Sequence, residues 1–143
     1  EVQKRFISCC KDFIFLYPQV SAMKNIDNVL WKHSFYRTIE TYRKQIRQIS
    51  SILEKSTIRS PLIDAKNQEY RQNLMKLSTS LNQYLSQTAA FYENFLMQLE
   101  SILDQKCKER DSLADPVLQS NISQDIDGYL KSIYFCLLFL GDV

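Results

Sequence analysis

The chain has 143 residues, the size of one ordinary domain, and its 45% hydrophobic and 24% charged residues are typical of a folded globular protein. It contains only two glycines and three prolines. Glycine supplies the tight turns of β folds and the close backbone approach of phosphate-binding loops, so this scarcity argues against both. The formal net charge of +2 does not indicate a chain-wide nucleic-acid binder, and any polyanion site must be local.

The four cysteines, Cys9, Cys10, Cys107 and Cys136, include no C-x-x-C pair. A disulfide framework or a zinc site is therefore not expected, and a reducing compartment, nucleus or cytoplasm, fits the sequence better. The longest fully apolar run, residues 133–140, is far shorter than the roughly 20 residues of a membrane span, and no signal peptide is apparent. Because the chain begins without Met, we expect it to be a fragment of a longer protein.

Apolar residues at helical spacing predict four long helices. The first carries its stripe over residues 6–17, and Pro18 should end it because the residue before a proline is pushed out of the helical conformation. The second begins near Asp27 and carries a regular stripe that fades after Leu53. Residues 56–64, which include a proline, are predicted to form a linker.

The third and fourth helices have recognisable start signals. Asp64 is a plausible N-cap for a helix of about 40 residues, or roughly 60 Å, that ends near Gln105. Residues 107–113 are charged and are predicted to form a loop, and the pair Asp115-Pro116 should start the fourth helix. Residues 133–140 of that helix are apolar nearly all round, so we expect elements beyond the end of the chain to cover them.

These elements predict an all-α protein, an antiparallel bundle or array of about four long helices that forms a single domain over residues 1–143 and is truncated at its C-terminal side. Enzymatic chemistry is not expected. His33 is the only histidine, so a histidine metal cluster is excluded. No serine-hydrolase, zinc-protease or P-loop motif is present, and no cofactor is predicted.

Positive charge is concentrated in residues 32–47, which contain five cations and one acid. The spacing of Arg37, Glu40, Lys44 and Arg47 places them on one helix face, turned away from the apolar stripe. Two interpretations stay open: a solvated outer face, or an anion site for phosphoserine or RNA phosphate, which the planar fork of arginine suits.

Three motifs resemble one known family. Residues 30–40, LWKHSFYRTIE, resemble the signature L-W-x-x-x-[FY]-[YK]-x-x-I-E of the Est-one family, which comprises the telomerase-activating subunit of fungi and the SMG-type adaptors of nonsense-mediated mRNA decay. Residues 81–96 and the run CLLFLGD at 136–142 resemble two further family motifs. The motif residues with an expected structural role are Leu30, Trp31, Phe35, Ile39, Phe91, Tyr92, Cys136, Leu140, Gly141 and Asp142.

The resemblance implies a right-handed helical array that is tetratricopeptide-like and 14-3-3-like. Some members of the family bind phosphoserine peptides, notably on the decay helicase, and telomerase members contact telomerase components. Tyr36 stands where a phosphopeptide-binding adaptor has a phosphate-contacting lysine, and the second such cation should follow Asp142, where the chain ends. The candidate phosphate- or partner-binding residues are Lys32, Tyr36, Arg37, Arg43, Lys44 and Arg47.

Three functions follow as hypotheses. The first is a protein-interaction adaptor in telomerase recruitment or mRNA decay, with protein partners and no membrane. The second is binding of telomerase RNA or another single strand through residues 32–47, and the third is a purely structural helical scaffold. Charge reversal at Arg37 and Arg47 separates them, because only the first two hypotheses predict a loss of binding.

Overall fold

The computed structural model describes residues 1–55 and 61–143, and every element within them is helical. In chain order the elements are α1 (Val2–Leu16), α2 (Pro18–Lys24), α3 (Ile26–Trp31), a π-helical turn (Lys32–Tyr36), α4 (Arg37–Lys55), α5 (Pro61–Ser112) and α6 (Pro116–Asp142). The predicted all-α class is confirmed. Of the described helices, α1, α4, α5 and α6 have 15 residues or more, as many as predicted. The second predicted helix, which was to begin near Asp27, is instead divided into α3, the π-helical turn and α4.

Pro18 ends α1, as predicted, but it also begins a helix that the sequence analysis missed. Proline is favoured in the first turn of a helix because its fixed φ suits that position and its missing N–H would have no helical partner there. The resulting helix, α2, has only seven residues. It ends at Asn25, whose φ of 52° and ψ of 43° are left-handed, a conformation that asparagine tolerates better than most residues.

The predicted linker at residues 56–64 is wrong in its second half. Helix α5 begins at Pro61, so Asp64 lies in the first helical turn and is not the N-cap. A carboxylate in that turn still interacts favourably with the positive end of the helix dipole. Residues 56–60 lie outside the described residues.

The loop predicted at residues 107–113 is also wrong, since α5 continues to Ser112. Charged residues here form ion pairs between positions three or four apart on the helix, for example Lys108 Nζ with Asp104 Oδ2 at 3.1 Å, and such pairs stabilise a helix. The predicted start of the fourth helix is confirmed, because the Asp115 carboxylate accepts a hydrogen bond from the Val117 amide at 2.9 Å.

The described residues form two compact units. The first unit comprises residues 1–35 and 88–143, and the second comprises residues 36–87. Fully buried residues of the first unit come from α1, α2, α3, α5 and α6, and they include Ile14, Ser21, Leu30, Phe95 and Cys136. In the second unit, Ile39 of α4 is buried, and the rest of the apolar stripe of α4 is mostly half-buried.

Trp31 packs against two neighbouring helices. Its ring lies parallel to that of Phe139 from α6, with centroids 4.7 Å apart, and meets Tyr92 from α5 edge-on at 5.8 Å. Phe35 stacks on Trp31 from the following turn at 6.3 Å. Aromatic rings at these separations add to the energy of burial.

The apolar C-terminal end of α6 has one buried and one exposed face. Cys136 and Phe139 are buried, whereas Tyr134, Leu137 and Leu138 are exposed. That further elements cover this exposed face stays a prediction.

Helices α2 and α6 cross at a glycine. A β-carbon added at Gly128 would lie 2.6 Å from the carbonyl oxygen of Pro18 and 2.7 Å from its carbonyl carbon. Both are backbone atoms, which cannot move aside without shifting α2. The absence of a side chain at this position thus allows the two helices to approach closely.

We expect Gly128→Ala to lower the free energy of unfolding by about 1–3 kcal/mol, because the added methyl group overpacks the crossing. Urea unfolding followed by circular dichroism measures the change. Gly141→Ala is the matched control, since a β-carbon there meets nothing within 4 Å. Equal stability of the Gly128 variant and the wild type would contradict the close crossing.

A buried carboxylate joins α3 to α6. Asp27 is almost fully buried, and its Oδ2 accepts a hydrogen bond from Ser132 Oγ at 2.9 Å. Burial raises the pKa of the Asp27 carboxyl above its ordinary value, although the hydrogen bond from Ser132 opposes this. Lys131 lies nearby, with its Nζ donating to the Ala22 carbonyl at 2.7 Å.

The raised pKa of Asp27 makes stability depend on pH. The folded state binds the proton of the Asp27 carboxyl more tightly than the unfolded state does. Protonation of Asp27 therefore stabilises the fold below about pH 4, and this stabilisation is lost as pH rises through the folded pKa. We expect Asp27→Asn to gain stability relative to the wild type as pH rises from about 4 to 7. Urea unfolding at each pH tests this, with Asp12→Asn, an exposed position of α1, as the control. A difference in unfolding free energy between Asp27→Asn and the wild type that stays constant from about pH 4 to 7 would contradict this prediction.

Candidate interaction surface

The basic row predicted at residues 32–47 is divided between the two units. Lys32 lies in the π-helical turn and belongs to the first unit. The second unit contains the other candidates, Tyr36, Arg37, Arg43, Lys44 and Arg47. All the candidate cations except the half-buried Arg43 are exposed to solvent, and Tyr36 keeps 43% of its surface exposed.

Glu40 binds two of the candidate arginines. Its Oε1 accepts a hydrogen bond from Arg43 Nη1 at 3.1 Å, and its Oε2 lies 3.5 Å from Arg47 Nη2. The hydrogen bond from Arg43, together with the charges of both arginines, lowers the pKa of the Glu40 carboxyl, which favours its ionised form. One carboxylate therefore offsets part of the positive charge of two arginines.

Among the candidate cations of α4, Arg37 and Lys44 are the two whose charge Glu40 does not offset. Both side chains are exposed, and within residues 1–55 and 61–143 neither forms an ion pair. The backbone carbonyl of Arg37 accepts a hydrogen bond from Thr41 Oγ1 at 2.8 Å. A guanidinium in this setting can bind the two oxygens of a carboxylate or phosphate in parallel.

Charge is distributed unevenly between the two units. Residues 36–87 contain nine Lys and Arg against four Asp and Glu, a formal net charge of +5, whereas the remaining residues contain nine against twelve, a net charge of −3. Residues 41–53 of α4 and 70–87 of α5 contain no acidic residue at all. We therefore expect the second unit to attract anionic partners, although the net charge of the whole chain is only +2.

The second unit also contains two concavities that the sequence analysis missed. One of about 380 Å³ lies between α4 and α5 and is lined by Gln45, Gln48, Ile49, Asn73, Lys76 and Leu77. The other, of about 560 Å³, is lined by the α4 residues Lys44, Arg47, Gln48, Ser51 and Ile52. The signal that could have indicated them is the abundance of amide residues in the two stretches that lack acidic residues.

Most motif residues that carry the family resemblance lie in packed positions. Buried in the first unit are Leu30, Trp31, Phe35, Tyr92 and Cys136. Ile39 is buried in the second unit, and Phe91 and Leu140 are half-buried. Gly141 and Asp142 are exposed. The motif residues thus lie mainly at packed positions.

Nucleophilic and metal-binding groups are not assembled in the described part of the chain. No group of three His, Cys, Asp or Glu side chains within it could hold a metal ion. Burial raises the pKa of the Cys10 thiol and raises that of Cys136 to about 12, so both remain protonated at neutral pH. His33 is exposed and meets the edge of Phe6 at 6.3 Å. No helix among the described residues has the length and apolar character needed to cross a membrane.

A sequence model described as telomerase activating protein Est1 matches residues 25–143. The chain belongs to this family. The match begins at Asn25, between α2 and α3, and includes α4 to α6 as well as the three motifs. Neither a curated protein nor a solved structure matches the chain. The Est1 family assignment therefore supports a function related to telomerase.

We expect Glu40→Gln to strengthen binding of this Est1-family chain to heparin, a generic polyanion. Removal of the carboxylate releases both Arg43 and Arg47, so the protein should elute from immobilised heparin at a higher salt concentration. Glu54→Gln, at an exposed position of the same helix, removes the same charge and is the matched control. An equal shift for both variants would contradict a specific role of Glu40.

Proposed function

We propose that this domain is a protein-interaction adaptor that acts in the nucleus in the recruitment or activation of telomerase. Membership of the Est1 family supports the telomerase part of this proposal. The observation that carries the binding part is the concentration of positive charge in the second unit. There, Arg37 and Lys44 are exposed and, in the described residues, form no ion pair.

The proposed mechanism is recognition of a partner by charge, with no chemical step. An acidic or phosphorylated segment of a protein partner would bind at Arg37, whose planar fork donates two parallel hydrogen bonds, with Lys44 supplying a second positive charge. Lys32 is a further candidate in the first unit. The binding would be salt-sensitive, because these side chains are exposed.

RNA binding is the second candidate function. Tyr36 is 43% exposed and is followed directly by Arg37. Single-stranded RNA is commonly bound by an aromatic ring that stacks on a base and a cation that contacts the phosphate. This pair of side chains supports a telomerase RNA as an alternative partner.

Fluorescence anisotropy with the 143-residue chain tests the proposal. The labelled probes are a phosphoserine peptide, its unphosphorylated twin and a single-stranded RNA. We expect the phosphoserine peptide to bind selectively, and Arg37→Glu to weaken that binding by roughly tenfold or more, as for the loss of a charge-assisted hydrogen bond. Arg5→Glu makes the same change at an exposed position of α1 and should leave the affinity within about twofold.

The outcomes separate the hypotheses. Tighter binding of the RNA, with a steep dependence on salt concentration, would favour the RNA alternative over the peptide. An equal loss in the Arg37 and Arg5 variants would indicate non-specific electrostatics. If none of the three probes binds, the adaptor proposal at Arg37 is wrong and a structural scaffold is the better interpretation.

A further inference from the structure

The groove between α4 and α5 has a composition suited to a peptide main chain. Three of its six lining residues, Gln45, Gln48 and Asn73, are exposed amides. Each carboxamide has an acceptor oxygen and two donor hydrogens. Within the described residues none of the three makes a side-chain hydrogen bond to another protein group, so these donors and acceptors are available to a ligand.

The floor of the groove is apolar. Ile49 from α4 and Leu77 from α5 line it, and both are half-buried. An extended peptide exposes alternating N–H and C=O groups that need partners, and its side chains project to either side. Amides along the walls can bind those backbone groups, while the apolar floor contacts one row of side chains.

The charge of the groove's lining is positive and comes from Lys76, and no acidic residue occurs in residues 41–53 or 70–87. Gln48 also lines the adjoining concavity, where Lys44 and Arg47 lie. A ligand that runs past Gln48 thus leaves an amide-lined groove and meets Lys44 and Arg47. Glu40 offsets the charge of Arg47 only in part, so an acidic ligand is complementary along this path.

Other classes of ligand fit the lining less well. Single-stranded nucleic acids are held by aromatic side chains on which bases stack, and the groove is lined by no aromatic residue. An amphipathic helix needs a mainly apolar groove, whereas four of the six lining residues here are polar or charged. The lining therefore favours an extended acidic peptide.

We propose that the α4–α5 groove binds an extended segment of a protein partner that is rich in Asp and Glu. Gln45, Gln48 and Asn73 hydrogen-bond its backbone, and Lys76 pairs with its carboxylates. The segment continues past Gln48 to Lys44 and Arg47. This inference rests on the proposed adaptor function, but it places the partner on residues other than Arg37 and names its conformation.

A labelled peptide of alternating Asp and Ser tests the groove directly. A length of about twelve residues spans roughly 40 Å when extended. We expect it to bind the 143-residue chain and to shift the side-chain NH₂ resonances of the three amides in a two-dimensional ¹H–¹⁵N NMR spectrum. The same peptide methylated at alternate backbone nitrogens keeps its charge but loses donors, and it should bind at least about fivefold more weakly.

Asn73→Asp is the decisive variant, because it replaces a donor with a negative charge inside the groove. We expect it to weaken binding of the Asp-Ser peptide by roughly tenfold or more. Gln72→Glu is the matched control, since this neighbouring amide is exposed and lies outside the groove. Its affinity should stay within about twofold of the wild type. Circular dichroism checks that both variants remain helical.

Each alternative result overturns this inference. An absence of peptide binding, an equal loss in the Asn73 and Gln72 variants, or equal affinity of the methylated peptide would exclude backbone recognition in the groove. If the chain binds oligouridine more tightly than the Asp-Ser peptide, and Asn73→Asp weakens the binding of oligouridine, the groove is an RNA site instead. If Arg37→Glu abolishes phosphopeptide binding while Asn73→Asp changes nothing, the adaptor proposal stands and only the groove is wrong.

Discussion

Trp31 packs between residues that are distant in sequence, and the first unit depends on this packing. Its ring lies on Phe139 of α6 at 4.7 Å and against Tyr92 of α5 at 5.8 Å, so a single side chain at the end of α3 contacts two other helices. The π-helical turn begins at the next residue. Within that turn Phe35 is buried and Tyr36 is exposed. This short segment therefore contributes buried rings to the aromatic core and also exposes candidate binding residues to solvent.

Local patterns predicted the helices well and their boundaries less well. The all-α class and the Asp115 cap follow from periodicity and from a single side chain, both of which act over a few residues. Helix α2 was not predictable from periodicity because seven residues are too few for an apolar stripe, and Pro18 starts a helix as well as ending one. The third helix is longer than predicted, because the charged residues after Gln105 form helical ion pairs and not a loop.

The candidate site was predicted in part. Spacing placed Glu40 and Arg47 on one helix face, and their ion pair agrees with that placement. Spacing did not indicate that Glu40 would partly neutralise Arg43 and Arg47 and leave Arg37 and Lys44 as the unpaired ones among the candidate cations of α4 in the described residues. The abundance of amide residues was visible in the sequence, but their assembly into one groove was not, because it requires Asn73 and Gln48 to lie at matching heights on two helices. That register depends on tertiary packing and not on any local pattern.

The position of Trp31 has a practical consequence for spectroscopy. It is the only tryptophan of the chain, and it lies in the buried core of the first unit. Its fluorescence emission therefore reports the environment of that unit alone, whereas far-ultraviolet circular dichroism sums all the helices. Coincident transitions in the two signals would indicate that both units unfold as one cooperative system, and separated transitions would indicate two. The chain thus carries an intrinsic optical label for one of its two units.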